Sequence, residues 1–157
     1  MREYSKKEWK RIFEDSIMDE MSDAAYYRAM EKFAPDYEAK DILLNVAADE
    51  ERHAKELIKA YESLFGCRYE YPKPPKPMIK DYRKSLEERF HEEMNACKKY
   101  KEYYLCSPNQ RLRDLWFDLQ QDECSHAKYM LFLMLKYDCG HKNDKPDHGC
   151  GCGSNQY

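Results

Sequence analysis

Asp49-Glu50-Glu51-Arg52-His53 decides how the chain is read, because Asp122-Glu123-Cys124-Ser125-His126 repeats its Asp-Glu-x-x-His pattern 73 residues later. A helix advances about 100° per residue, so a Glu and a His three positions apart lie on one face. Two such pairs can offer two carboxylates and two imidazoles to a common interior. Whatever surrounds them must be the scaffold that brings them together.

The repeat extends beyond the motif. Moved back by 73 positions, Glu93 falls on Glu20, Met94 on Met21, Tyr100 on Tyr27, Pro108 on Pro35, and Ala127-Lys128 on Ala54-Lys55. The interval from Glu20 to Glu50 is 30 residues, and so is that from Glu93 to Glu123. Each upstream glutamate also precedes a tyrosine by seven, two turns along the same face. Duplication of a helical hairpin accounts for all of this at once.

Periodicity supplies the helices. Phe13, Ile17, Glu20, Ala24, Tyr27 and Glu31 form a first stripe that ends near Pro35. A second runs from about Asp36 through Leu43, Val46, Glu50, His53, Leu57, Ala60 and Leu64, stopping at Gly66. Tyr69-Glu70-Tyr71-Pro72-Lys73-Pro74-Pro75-Lys76-Pro77 cannot continue a helix and reads as a long crossover. The third stripe is Leu86, Phe90, Glu93, Cys97, Tyr100 and Tyr104, broken by Ser107-Pro108-Asn109. The fourth is Leu112, Leu115, Leu119, Glu123, His126, Met130, Leu133 and Tyr137. Short turns within each hairpin and a long connection between them predict an all-α, ferritin-like four-helix bundle over residues 1–138. Residues 139–157, Gly-rich with Cys139, His141, His148, Cys150 and Cys152, form a flexible tail that binds metal adventitiously or holds a site of unfamiliar spacing.

Composition excludes several alternatives. With 36% charged residues but a net charge of −3, the chain carries solvated helix faces and no electrostatic footprint for nucleic acid or membrane. No stretch approaches the roughly 20 apolar residues of a membrane span. The N-terminus lacks a signal-peptide core, so the seven cysteines are expected to be mainly reduced thiols in a cytoplasmic protein.

The chemistry rests on six polar residues set on apolar stripes: Glu20, Glu50, His53, Glu93, Glu123 and His126. Burying unpaired carboxylates costs several kcal/mol each unless they are protonated, neutralised or metal-bound. Two divalent metals offset four carboxylates, and this mixed N/O donor set suits Fe or Mn better than Ca²⁺ or a thiolate zinc site. Glu88 and His91 share the spacing but lie off the stripe, so they are read as surface. Asp49 and Asp122 either orient the imidazoles, Asp122 on His53 and Asp49 on His126, or are solvated acids. Tyr27 and Tyr100 bond ligand carboxylates, relay protons and electrons, or pack the core. Cys97 and Cys124 are read as small apolar fillers, with redox participation as the other reading.

These residues resemble the rubrerythrin and bacterioferritin branch of the ferritin-like diiron proteins, over about residues 10–137. The resemblance implies two iron ions, with manganese as an alternative, bridged by Glu50 and Glu123. Glu20 with His53 and Glu93 with His126 would complete the terminal sets. Glu51 stands where haem-binding members have methionine, which argues against haem. Ala96 replaces an extra glutamate of the third helix, while Asp23 occupies the matching place in the first and is a candidate altered ligand or neighbour of one. The paired CxxC knuckles of a rubredoxin domain do not occur in this sequence, so an external electron donor is expected. The implied activity is reduction of hydrogen peroxide or dioxygen, with electrons from an external rubredoxin-type donor, in a homodimer. Ferroxidase iron handling, a non-catalytic metal-binding bundle and dimanganese catalase chemistry are the competing functions.

Overall fold

The computed structural model describes residues 3–70 and 72–139. Among these residues run four helices, α1 (Lys6–Met30), α2 (Tyr37–Phe65), α3 (Tyr82–Cys106) and α4 (Gln110–Cys139), with a 3-10 turn, Glu31–Phe33, after α1. The result is an all-α ferritin-like bundle with no strand among the described residues.

Local chemistry sets the helix ends. Ser5 caps α1 by accepting from the Glu8 amide, and the Glu8 carboxylate accepts from the Ser5 amide in return. Asp36 and Asp81 cap α2 and α3 in the same sense, through the Ala39 and Lys84 amides. Asn109 accepts from the Leu112 amide at the start of α4. At the end of α2, Gly66 takes φ 67°, the left-handed conformation that costs a side chain about 1 kcal/mol or more.

Each helix runs antiparallel to its chain partner, α1 with α2 and α3 with α4. The hairpins then pack so that α1 faces α3 and α2 faces α4. Cross-contacts record the register: Asp19 with Lys99 and Asp23 with Arg89 between α1 and α3, Asp49 with His126 and Asp122 with Arg52 between α2 and α4. Antiparallel hairpins place Glu20 and Glu50 at one level, and Glu93 and Glu123 at the same level opposite.

Two apolar cores flank that level. One gathers Phe13, Ile17, Leu57, Trp116 and Leu119 against Tyr100; the other gathers Met30, Leu43, Leu86, Met130 and Leu133 against Tyr27. Each fully buried large side chain contributes about 1.5–3 kcal/mol, so the apolar ends supply the stability that the polar centre does not.

Some stripe positions fall outside the core: Leu64 is 38% exposed, because Tyr61 takes the inner face, and Glu31 lies in the 3-10 turn. Trp116, absent from the fourth stripe, is completely buried. The crossover also contributes: Tyr69 is buried, with its ring 5.4 Å from that of Tyr61. The Gly/Cys/His tail beyond residue 139 lies outside the described residues. No helix among the described residues is long and apolar enough to cross a membrane.

Candidate metal centre

All six residues singled out by the repeat meet in the middle of the bundle, none more than 3% exposed. Glu20 comes from α1, Glu50 and His53 from α2, Glu93 from α3, and Glu123 and His126 from α4. They form two overlapping sets. Glu20, Glu50, His53 and Glu123 bring one potential ligand atom each within 4.8 Å of one another, and so do Glu50, Glu93, Glu123 and His126. Glu50 and Glu123 belong to both. The His53 Nδ1 lies 3.1 Å from Glu50 and 3.3 Å from both Glu20 and Glu123. The His126 Nδ1 lies 3.0 Å from Glu50 and 3.7 Å from Glu93.

The surroundings repeat the twofold pattern, and every link crosses between hairpins. Tyr27 donates to Glu93, and Tyr100 donates to Glu20. The outward nitrogen of His53 lies 3.1 Å from Asp122, and that of His126 lies 3.4 Å from Asp49. Each hairpin thus holds the other's donor groups in place. A family model described as Rubrerythrin matches residues 11–136. The chain belongs to the rubrerythrin family. No curated protein and no solved structure matches it.

Whether this rubrerythrin centre fits metal ions can be tested on its buried atoms. Glu50 Oε1, Glu93 Oε2, Glu123 Oε1 and His126 Nδ1 are buried and make no hydrogen bond. All four belong to residues of the overlapping sets. Unpaired buried acceptors cost about 1–3 kcal/mol each, more when charged, and bound cations remove that cost. The donor set of four carboxylates and two imidazoles therefore fits a pair of divalent ions.

The electrostatics follow from crowding. Burial, reinforced by the Glu20 charge, pushes Glu50 up to about 8. Burial and the charges of Glu20 and Glu50 drive Glu123 well above the carboxylate range. Burial acts upward on Glu20 and Glu93 too, but the imidazoles beside them, His53 at the first and His126 at the second, outweigh it and hold both low. Burial opposes charge on the imidazoles, yet the surrounding carboxylates prevail: His53 is raised strongly and His126 to about 12. Burial and the neighbouring carboxylates push Tyr27 and Tyr100 far up, so both keep their protons. The bond from His53 holds Asp122 at about 2, and that from His126 keeps Asp49 low.

Asp23 stays out of both sets. Its carboxylate is paired with Arg89, whose guanidinium stacks 4.5 Å over the Tyr26 ring. Glu88 and His91 are exposed, off the inner face. Sequence reasoning missed Arg52, which reaches Asp49 at 3.0 Å and Asp122 at 2.7 Å and ties the two orienting acids together. Its signal was a break in the repeat, since Arg52 corresponds to Ser125.

One expectation needs correction. Cys97 and Cys124 are not separate thiols filling space; they form a disulfide between α3 and α4, with Cα atoms 5.3 Å apart. Facing helices of a tight hairpin bring these positions within the span that a disulfide bridges. Cys67 and Cys106 are free.

Proposed function

We propose that this chain binds two iron ions between its hairpins and reduces hydrogen peroxide, or dioxygen, with electrons from an external donor. The sharing of Glu50 and Glu123 between two four-residue sets carries the proposal, because two carboxylates common to both sets suit a bridged pair of ions. When bound, the ions supply Lewis acidity toward the O–O bond and one electron each.

The chain's own residues do the rest. Glu50 and Glu123 would be shared between the two ions, with Glu20 and His53 holding one and Glu93 and His126 the other. Asp122 and Asp49 accept from the outward imidazole N–H groups and so turn each Nδ1 lone pair inward. Tyr27 and Tyr100, holding their protons against Glu93 and Glu20, can pass a proton along those hydrogen bonds as oxygen is reduced. A hollow of about 360 Å³ between α1 and α3 is lined by Glu20 and Glu123 together with Asp23, Arg89 and Lys99, a volume ample for a molecule of two oxygens. A rubredoxin-type protein is the proposed donor, and the working form is taken as a cytoplasmic homodimer active in oxidative stress.

A second activity, ferroxidase iron handling, draws support from the same hollow, whose wall carries the exposed Glu92 beside Glu20 and would attract Fe²⁺. Anaerobic iron loading followed by stopped-flow mixing separates the two. Peroxide should oxidise the loaded protein at least about tenfold faster than oxygen does. Faster reaction with oxygen, with ferric product retained, would replace peroxide reduction by ferroxidase chemistry.

The orienting acids give a further expectation. Asp49→Asn with Asp122→Asn should weaken iron affinity about 10- to 100-fold at unchanged helicity, the usual cost of losing a carboxylate behind a metal-bound imidazole. Unchanged affinity in an equilibrium competition with a chelator would rule the role out.

A further inference from the structure

The Cys97–Cys124 bond is placed where a two-electron store would be most useful. Cys124 directly follows Glu123, and Cys97 lies one helical turn beyond Glu93. Both sulfurs are thus anchored next to residues of the buried centre, yet both cysteines are only half-buried, so the bond is open to exchange from outside. The Gln120 amide donates to both sulfurs, at 3.4 Å to Cys97 and 3.1 Å to Cys124, and holds them side by side on the hairpin face. A structural staple would be hard to motivate here. The α1–α2 hairpin makes the same fold with Ala24 and Glu51 at the equivalent positions. The pair is therefore an addition to the repeat, made at the level of the centre.

Resting on the proposed peroxide reduction, we infer that Cys97 and Cys124 form a redox-active dithiol/disulfide pair that supplies the electrons for it from within the chain. The balance closes. Two thiols lose two electrons and two protons as the S–S bond forms; hydrogen peroxide takes up both, its O–O bond breaks, and two waters leave. An external dithiol then attacks the half-buried disulfide, passes through a mixed disulfide, and departs oxidised as both thiols are restored. The donor class implied is accordingly a thiol reductant.

The experiment uses the full chain, reduced with dithiothreitol, loaded with Fe²⁺ under anaerobic conditions and freed of reductant. Hydrogen peroxide is added in steps, the thiols are alkylated, and mass spectrometry reads the Cys97 and Cys124 peptides apart from those of Cys67 and Cys106. The expected result is up to one Cys97–Cys124 disulfide per chain, formed at least about tenfold faster than in metal-free protein. Full re-reduction by dithiothreitol in the native state should follow. Cys97→Ser and Cys124→Ser should each abolish that disulfide and slow turnover with a dithiol donor by about tenfold or more.

Equal rates with and without metal would overturn the inference, since peroxide would then be attacking the thiols directly. A disulfide that resists dithiothreitol until the chain unfolds would overturn it too, making the bond structural. If a rubredoxin-type donor sustains peroxide consumption while both thiols stay reduced, the inference falls and the proposed function stands. Iron-loaded protein that consumes no peroxide with either donor removes both.

Discussion

Replacing Glu50 and Glu123 together by alanine lowers bound iron from close to two atoms per chain to close to none. Each of these carboxylates serves both four-residue sets, so the double change leaves each set with one glutamate and one histidine. Two donors do not satisfy an ion that takes four to six, and affinity falls by several orders of magnitude. Glu20→Ala, by contrast, touches one set only and should leave about one ion tightly held. The fold should survive in every case, because the two apolar cores lie to either side of this level. Glu50→Gln with Glu123→Gln keeps the volume and guards against a cavity effect, and it too should bind little iron. Metal analysis beside circular dichroism makes the check. A double variant that keeps two iron atoms would remove the centre from this part of the bundle.

What was legible in the sequence divides along physical lines. The helices, their Pro and Gly ends and the inward placement of six polar residues come from periodicity, which the backbone enforces. The duplication made the two halves mutually informative: Glu93 and Tyr100 could be placed because Glu20 and Tyr27 recur 73 residues earlier. Contacts specific to one half were harder to see. Arg52, Arg89 and the cysteine pair have Ser125, Ser16, Ala24 and Glu51 at their counterparts, so the repeat carries no expectation for them. Cys97 and Cys124 could have been found by asking which residues lie beside Glu93 and Glu123 on facing helices. Trp116 escaped because Leu115, next to it, also completes a leucine spacing, and one position is 100° of helix. Tyr69 docks on α2 from a segment with no periodicity at all.

Metal loading at neutral pH should release about four protons per chain as two iron ions enter. Without metal, burial and mutual repulsion keep a proton on Glu50, whose pKa is about 8, and on Glu123, which is raised further. His53 and His126 each hold an extra proton among the carboxylates, with His126 titrating near 12. Glu20 and Glu93 are already ionised. Four protons therefore stand where two dications would, with the same total charge, and ligation requires them to leave. Groups whose folded pKa is raised contribute below their unfolded values, about 4.5 for Glu and 6.5 for His, and lose that contribution as pH climbs through the folded ones. Metal-free protein should accordingly melt at falling temperature from about pH 5 to 9. Iron-loaded protein should hold its melting temperature over that range, because deprotonation favours the ions. Indicator-dye proton counts on anaerobic loading, with calorimetric melts of both forms, read the two effects. A proton count near zero together with parallel pH profiles would mean that cations and protons do not compete for these side chains.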